Sequence, residues 1–343
     1  MGDGRTPLLL VLLMRLWSLC FAYHSDPADG TTGHLKREHT LVKPYQSAGS
    51  SERALWDIIG NTMVTSQQVR LTPDQQSKQG AIWNRVPCGL VDWELQVQFK
   101  VHGEGRRNLN GDGLALWYTR DQLKLGPVFG NAQNFSGMGI FIDTYYNEGK
   151  KTDLQYPYVS VMVNNGTLHY NHERDGRRTS LGGCPIAIRN VKHDTFISIK
   201  YAMQQVTIKV DAEGRHYWKD CVEIRNVQLP TGYHFGASAT TGDLSDNHDI
   251  VAIKVYELSV ERSEEERFQD WSNVIPSAEL ILEPEEDEDA EEKKKHQDEY
   301  EEKIWAIKFF CLVFFSMLAV VVLAVGCAVF IIRRQEENRK RLY

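Results

Sequence analysis

Residues 93–101 read Trp-Glu-Leu-Gln-Val-Gln-Phe-Lys-Val, and this stretch decides which fold class the sequence predicts. Apolar and polar side chains alternate along it, so one face of an extended strand would be apolar and the other polar. Residues 206–211 repeat the same alternation. A period of two is typical of a strand that is buried on one side only, and both stretches therefore predict half-buried strands.

A turn sequence follows another apolar run. Residues 159–163 lead into Asn164-Asn165-Gly166, and Leu168 and Tyr170 come shortly afterwards. Asn-Gly is favoured in tight turns because both residues tolerate a positive φ angle. The pattern predicts a β-hairpin that turns at these three residues.

Short strand patterns of this kind, separated by Gly, Asn and Asp, continue from about Leu35 to Glu261. No apolar stripe with helical spacing extends beyond about ten residues in this region. Residues 35–261 are therefore predicted to form one large all-β domain, an antiparallel sandwich of the jelly-roll kind.

The two ends of the chain predict targeting and membrane segments. Arg5 precedes an apolar run that is too short to span a bilayer, and Cys20 and Ala22 have the spacing that signal peptidase accepts. We therefore expect a signal peptide over residues 1–22. Phe309 to Ile332 is an uncharged run of 24 residues, which predicts a transmembrane helix. Basic residues follow it, so residues 333–343 are predicted to be cytosolic and the topology type I.

The net charge of −7 is concentrated in one segment. Residues 283–303 contain 12 acidic and 4 basic residues, a local charge of −8 that leaves the rest of the chain near +1. Residues 262–304 are therefore interpreted as an acidic stalk between the β domain and the membrane. The β domain has no basic patch, and a secretory chain is in the wrong compartment for nucleic acid, which argues against nucleic-acid binding.

Three cysteines belong to the predicted lumenal part, namely Cys88, Cys184 and Cys221. An oxidising compartment favours disulfides, and an odd number leaves one thiol unpaired. We expect Cys184 to pair with Cys221, because two flanking strands can bring them together. Cys88 is then a free, buried thiol. No cysteine or histidine spacing indicates zinc.

Three polar loops contain candidate binding residues. Asp143-Thr144-Tyr145-Tyr146-Asn147 follows an apolar run, and its oxygen-bearing side chains suit a hard cation. Residues 110–113 read Asn-Gly-Asp-Gly, in which glycine allows a ligand to approach the carboxylate closely. Residues 241–249 form a third polar loop. Each loop taken singly is explained more simply as ordinary turn chemistry.

Taken together, the loops belong to a longer series of motifs in the same order. The stretches are Leu35-Lys36-Arg37-Glu38-His39, Arg70-Leu71-Thr72-Pro73-Asp74, Gly111-Asp112-Gly113, Gly126-Pro127-Val128-Phe129-Gly130, Asp143-Thr144-Tyr145, Asn164-Asn165-Gly166 and Gly242-Asp243-Leu244-Ser245-Asp246-Asn247-His248-Asp249. In these the chain resembles the legume-like (L-type) lectin family, in its branch of vesicular integral membrane proteins. That branch is related to the lectin of the ER–Golgi intermediate compartment. The resemblance covers residues 35–261, the apolar segment and the basic tail.

The resemblance implies a calcium-dependent lectin that binds high-mannose glycans of glycoproteins in the early secretory pathway. It implies that calcium is held by Asp143, the Tyr145 carbonyl, Asn147 and Asp175. The residues that it implies for carbohydrate binding are Ser77, Asp112, Tyr145, Asn147, His172, Gly242, Asp243 and Leu244. We also expect protonation of His172 to weaken binding as the pH falls along the pathway, although a purely structural histidine is an equal alternative.

The resemblance further implies one modification and one sorting signal. Of the two sequons, at Asn134 and Asn165, the second is the better glycosylation candidate. The tail Arg339-Lys340-Arg341-Leu342-Tyr343 is expected to contact vesicle coat components, which places the protein in the endoplasmic reticulum, the intermediate compartment or the Golgi.

Two other classes of function remain open at this point. Glycoside hydrolases with a jelly-roll fold present a pair of carboxylates across a cleft, and no Glu-x-Asp-x-x-Glu strand supplies them here. We therefore expect no enzymatic activity. The second alternative is a cargo adaptor that binds proteins independently of glycans and retains a vestigial sugar site.

Overall fold

The computed structural model describes residues 32–279, except 50, 106–109 and 148–154, and part of the residues between 304 and 334. The chain divides into two compact units, Met1–Ile281 and Leu282–Tyr343. The predicted signal peptide, residues 280–303 of the stalk and residues 335–343 of the tail lie outside the described residues, and 309–332 is described only in part. No helix among the described residues is both long and apolar enough to cross a bilayer.

The described residues of the first unit form fifteen β-strands and a few short helices. The strands are β1 (Gly33–Leu35), β2 (Trp56–Gly60), β3 (Met63–Val64), β4 (Val69–Thr72), β5 (Gln79–Asn84), β6 (Trp93–His102), β7 (Gly113–Thr119), β8 (Ser136–Asp143), β9 (Tyr158–Asn165), β10 (Gly183–Pro185), β11 (Thr195–Ala202), β12 (Gln205–Asp211), β13 (Lys219–Ile224), β14 (His234–Thr240) and β15 (Asn247–Leu258). The helices are α1 (Glu264–Phe268) and the 3-10 turns Arg37–His39, His172–Arg174, Arg177–Thr179 and Trp271–Asn273.

The strands form two antiparallel sheets, as the sequence predicts. One sheet has the order β13-β12-β11-β6-β15-β4-β3, with β1 paired to β15, and the other has the order β10-β9-β8-β7-β14-β5-β2. Strand β6 alternates between buried and half-buried residues along its whole length, which confirms the half-buried strand predicted for residues 93–101. Its buried residues, such as Val97, share one apolar core with Leu116 and Ile140 of the other sheet. The core therefore lies between the two sheets.

The seven-stranded sheet is buried on both faces. Every residue of β7 and β8 is buried, and the side chains that point away from the core form a second apolar cluster. Trp117 and Phe141 of this cluster are covered by Phe129, Phe135 and Tyr170, which come from loops. The sheet that ends at the binding loops is thus rigid, because both of its faces are packed.

The predicted hairpin at Asn164-Asn165-Gly166 is wrong. Strand β9 pairs with β8 and β10, and residues 167–171 are not a strand. The Asn164 side chain accepts hydrogen bonds from the N–H groups of Gly166 and Leu168 and so closes a local turn. Tyr170 then packs on Phe141, with ring centroids 4.7 Å apart. An asparagine side chain and an aromatic contact therefore replace the expected strand pairing.

The sandwich extends beyond residue 261, where the stalk was predicted to begin. Arg262 forms a buried ion pair with Asp92 and lies over the ring of Trp271, 4.9 Å from its centroid. Gln228 and Ser277 exchange backbone hydrogen bonds. Residues 262–278 are therefore part of the folded domain. Their polar, charged composition does not indicate that they pack against it.

The cysteines are arranged as predicted. Cys184 of β10 and Cys221 of β13 form a disulfide that links the edge strands of the two sheets. Such a bond typically stabilises a domain by about 2–4 kcal/mol. Cys88 is a free, fully buried thiol, and burial raises its pKa to about 12. It is therefore a small apolar core residue at physiological pH.

Candidate functional site

Three neighbouring strands of the seven-stranded sheet have adjacent ends at one edge. The register pairs Gly113, the first residue of β7, with Asp143 at the end of β8 and with Thr240 at the end of β14. Because the strands are antiparallel, the loop before β7 and the loops after β8 and β14 lie side by side. Sheet order thus brings together three loops that the sequence separates by tens of residues.

Asp143 and Asp175 shape the first of these loops. Asp143 Oδ1 accepts the backbone N–H of Tyr145 at 2.9 Å. Asp175 Oδ1 accepts both the backbone N–H and the side-chain amide of Asn147, at 3.1 and 3.0 Å. Asp175 itself adopts a left-handed conformation with φ 49° at the end of the turn His172–Arg174. These contacts place the four predicted calcium ligands close to one another.

The two carboxylates lack a positive partner among the described residues. Burial raises the pKa of Asp143 well above its usual value; the Tyr145 hydrogen bond opposes this, and the charges of Asp175 and Asp112 add to it. Asp175 Oδ2 is buried and has no hydrogen-bond partner in the part of the chain that the structure describes. Leaving charge buried in this way is costly unless a cation compensates it.

The residues fit calcium. Two carboxylates, an amide oxygen and a backbone carbonyl are hard oxygen donors, which calcium prefers in flexible arrangements of several ligands. The described residues contain no cluster of three or more His, Cys, Asp or Glu side chains that would suit a metal. Calcium, when bound, supplies the positive charge that these oxygens lack.

Asp112 links the calcium loop to the glycine loop at 242–244. Its carbonyl accepts the N–H of Thr144 at 3.0 Å, and its N–H donates to the Thr240 carbonyl at 3.2 Å. A Cβ added at Gly242 would lie 3.3 Å from both carboxylate oxygens of Asp112, so glycine permits the close approach. Burial, followed by the charge of Asp243, raises the pKa of Asp112 to about 6.

The hydrogen-bonding groups of these two elements are available to a ligand. The Asp112 carboxylate accepts no hydrogen bond from the described residues, and the N–H groups of Gly242, Asp243 and Leu244 donate none within them. Carboxylate acceptors next to amide donors complement the hydroxyl groups of a sugar, each of which both donates and accepts. The loop is held from the other side by Ser77, whose N–H donates to the Gly242 carbonyl at 3.0 Å.

His172 lies at the edge of the same site. Its ring contacts Tyr170 and Phe129, with centroids 4.8 and 5.6 Å away. Its Nε2 is buried and has no hydrogen-bond partner among the residues described. Burial lowers the pKa of His172, while the Pro127 carbonyl and the charge of Asp175 oppose this more weakly. The shift moves protonation to lower pH and so works against the expected pH response. Its role in pH dependence stays a prediction.

A cavity of about 260 Å³, which we call the Asp112 cavity, lies where these elements meet. The predicted residues that line it are Asp112, Asp143, Asn147, His172 and Gly242, and the further lining residues are Pro127, Phe129, Thr240 and Thr241. Pro127 and Phe129 lie in a motif that the sequence resemblance contains, but no polar group marked them as part of a site. Phe129 is buried and supports the ring of His172.

Five predicted site residues do not line this cavity. Asp175 lies behind Asn147, Asp243 is exposed, and Tyr145 and Leu244 flank Gly111. Ser77 lines a neighbouring groove. The sequon residue Asn165 is exposed at the opposite end of β9 from Tyr158, and its Oδ1 accepts the Thr167 hydroxyl at 2.6 Å. The sorting residues 339–343 lie outside the described part of the chain.

Comparison with known proteins shows that the chain is similar to legume-like lectins in both sequence and structure. The family model described as the legume-like lectin family matches residues 32–265. The human vesicular integral-membrane protein VIP36 is 49% identical over 343 residues, covering 100% of this chain and 93% of that protein. The human VIP36-like protein is 48% identical, covering 99% and 94%. The crystal structure of the VIP36 exoplasmic/lumenal domain in its Ca2+/Man2-bound form has a TM-score of 0.70 and 56% identity, covering 72% of this chain and 99% of that domain.

Proposed function

The chain belongs to the legume-like lectin family, and from this premise we propose that it is a calcium-dependent lectin for mannose-rich N-glycans on glycoproteins of the early secretory pathway. The observation that carries the proposal is the Asp112 cavity, where a carboxylate that accepts no hydrogen bond from the described residues lies next to the Gly242 loop. The VIP36 domain with 56% identity was crystallised in a Ca2+/Man2-bound form, which supports the same ligands here. A lectin family also agrees with the prediction that the chain is not an enzyme.

We propose that Asp143, Asn147, Asp175 and the Tyr145 carbonyl hold the calcium ion. Asp175 orients Asn147 through two hydrogen bonds, so the amide is preorganised before any sugar arrives. The hydrogen bond from the Thr144 N–H to the Asp112 carbonyl connects this loop to Asp112. A loop ordered by calcium would therefore also hold the Asp112 carboxylate in place for the sugar. Preordering a loop reduces the entropy that binding costs. The calcium requirement of sugar binding would follow from this coupling.

The mannose would bind between Asp112 and the loop 242–244. Asp112 accepts from sugar hydroxyls in charge-assisted hydrogen bonds, and the N–H groups of Gly242, Asp243 and Leu244 donate to them. Asn147 offers the second N–H of its amide, because its oxygen is a proposed calcium ligand and its other N–H donates to Asp175. Ser77, Tyr145 and His172 lie around this position and would contact further parts of the glycan. Asn165 is the proposed glycosylation site, far from the cavity along β9.

We further propose a single-pass type I membrane protein. The 24 uncharged residues from 309 to 332 and the basic residues after them support the span and its orientation. The signal peptide (1–22), the lectin domain (35–261, with its packed extension to 278), the acidic remainder of the stalk and the cytosolic tail complete this organisation. Contacts of the tail residues 339–343 with vesicle coats would place the protein between endoplasmic reticulum and Golgi, and the full-length match to a vesicular integral-membrane protein supports this.

The test is a calorimetric titration of the full chain in a non-glycosidic detergent. A nine-mannose N-glycan should bind in calcium and not after chelation. The substitution Asp112→Asn should abolish glycan binding, yet keep the calcium-induced rise in melting temperature, because Asp112 is not a proposed calcium ligand. No glycan binding by folded protein at saturating calcium would contradict the proposal and favour the glycan-independent adaptor. In that case cargo capture should persist after enzymatic removal of the cargo's glycans.

A further inference from the structure

The two sequons of the chain lie side by side at one end of the seven-stranded sheet. In the register of β8 and β9, Ser136 of the sequon Asn134-Phe135-Ser136 is opposite Asn165, the acceptor of the other sequon. Directly opposite residues of an antiparallel pair are about 4.5–5.5 Å apart, so the two sequons are neighbours. At the other end of the same strands Asp143 pairs with Tyr158. The length of β8 separates the two ends by roughly 24 Å.

The chain around Asn134 forms a short bend that is fixed on both sides. Before the bend, Val128 and Asn131 exchange backbone hydrogen bonds of 3.0 and 2.9 Å. After it, the Phe135 ring is buried and packs edge-on against Trp117, with ring centroids 5.0 Å apart. Asn134 itself is exposed between these contacts. A bulky group on its side-chain amide would therefore extend into solvent without displacing packed residues.

The hydroxyl that completes this sequon is accessible only before the domain folds. An acceptor asparagine needs Ser or Thr two positions later in the chain. Ser136 is 3% exposed in the folded domain, and its hydroxyl lies 3.0 Å from that of Tyr233. The second sequon differs, because both Asn165 and Thr167 are exposed. A glycan on Asn134 would thus be attached to the unfolded chain, and folding would leave it on the surface.

We infer that Asn134 is a second N-glycosylation site, next to Asn165 and at the opposite end of the sheet from the Asp112 cavity. The inference rests on the lumenal location that is part of the proposed function. Both attachment points lie a full strand length from the cavity, so neither glycan is attached at the binding loops.

The transfer needs an oligosaccharide that is linked to a lipid pyrophosphate. The Nδ2 atom of Asn134 forms a bond to the anomeric carbon of the first sugar and loses one proton. The bond between that carbon and the phosphate oxygen breaks, and the lipid pyrophosphate leaves with the electron pair.

The test uses the full chain, produced in cultured eukaryotic cells. Peptide N-glycosidase in water enriched in heavy oxygen converts each glycosylated asparagine into a labelled aspartate, and peptide mass spectrometry locates the label. Gel mobility before and after the enzyme counts the glycans in the parent, in Asn134→Gln and in Asn165→Gln. Gln133→Ala is the matched control, because Gln133 is an exposed residue of the same bend and its replacement leaves both sequons intact.

We expect the label at both Asn134 and Asn165 in the parent and in the control. Each glutamine variant should show about half of the parent's mobility shift, since it keeps one of two glycans. A label at Asn165 without one at Asn134 would overturn the inference and leave the lumenal location intact. A full mobility shift in Asn134→Gln would overturn it as well. Absence of the label from both positions would contradict the lumenal location in the proposed function, and this inference with it.

Discussion

Two groups of aspartates in the domain differ in what compensates their charge. In the first group each carboxylate pairs with an arginine, and the pairs are Asp92–Arg262, Asp246–Arg189 and Asp249–Arg70. In the second group, at the binding loops, no arginine or lysine among the described residues pairs with the carboxylate, and its members are Asp112, Asp143 and Asp175. The charge of each paired aspartate is compensated within the chain. The aspartates at the loops need a cation or a ligand from solution to compensate theirs. The first group stabilises the fold, and we propose that the second binds calcium and sugar.

The largest effect should come from breaking a pair of the first group. Asp246 is fully buried, and Arg189 contacts it in a bidentate manner at 2.8 to 3.1 Å. Arg189→Met leaves this carboxylate without compensation, so the free energy of unfolding should fall by about 3–5 kcal/mol at neutral pH. Guanidinium denaturation measures the change. A fall in the free energy of unfolding of less than about 1 kcal/mol would show that pairing with arginine is not what stabilises the first group of aspartates.

The same variant has a predictable pH dependence. Burial already raises the pKa of Asp246 against the opposing effect of Arg189. Without the arginine the folded-state pKa should rise further above its unfolded value. A carboxyl with a raised folded-state pKa stabilises the fold at pH below its unfolded value and loses that contribution as the pH rises. Arg189→Met should therefore recover stability relative to the parent as the pH falls, and denaturation at several pH values checks this.

A substitution in the second group should weaken ligand binding and leave the stability of the metal-free fold unchanged. Asp143→Asn should weaken calcium binding by at least about a hundredfold, because loss of a direct ligand should exceed the cost of losing an outer partner. The metal-free protein should not lose stability at neutral pH, since the raised pKa of Asp143 makes its charge unfavourable there. Calcium titration and thermal melting of the chelated protein measure the two effects. Glu173→Gln is the control, as Glu173 is exposed in the same turn as Asp175 and should leave calcium affinity unchanged.

A moderate effect is expected from pH. Because the pKa of Asp112 is raised to about 6, its carboxylate becomes protonated below this pH and loses its capacity as a purely accepting group. Mannose affinity at low calcium should fall about tenfold between pH 7 and pH 5, as one protonation predicts. Calcium should lower the midpoint, because a nearby positive charge favours the ionised carboxylate. A profile that becomes flat in His172→Gln would instead assign the response to His172.

The smallest effect should come from an ion pair outside both groups. Arg225 and Glu223 pair at 2.9 Å on the surface, with side chains 77% and 47% exposed. Arg225→Met should change the free energy of unfolding by less than about 1 kcal/mol, because water already screens the pair. Measured beside Arg189→Met, it separates burial from ion pairing as the cause of the large effect.

Much of the candidate site could be predicted from the chain because most of its residues lie in three loops with distinctive polar sequences. Asp112, Asp143 and the glycine at 242 are chemically conspicuous, and the structure places them at adjacent strand ends.

The sequence by itself determined the all-β class and the half-buried strand at 93–101, because alternation is a local property. It also predicted the disulfide partners from the strands that flank them, and the structure confirms the pair. Tertiary structure decided which loops meet, that Phe129 and Tyr170 cover the outer face of one sheet, and that residues 262–278 pack on the domain. It also replaced the expected hairpin at Asn164 with a turn closed by a side chain. These outcomes depend on contacts between residues far apart in the chain. Local periodicity reports that a face is buried, whereas the order of strands in the sheet determines what buries it.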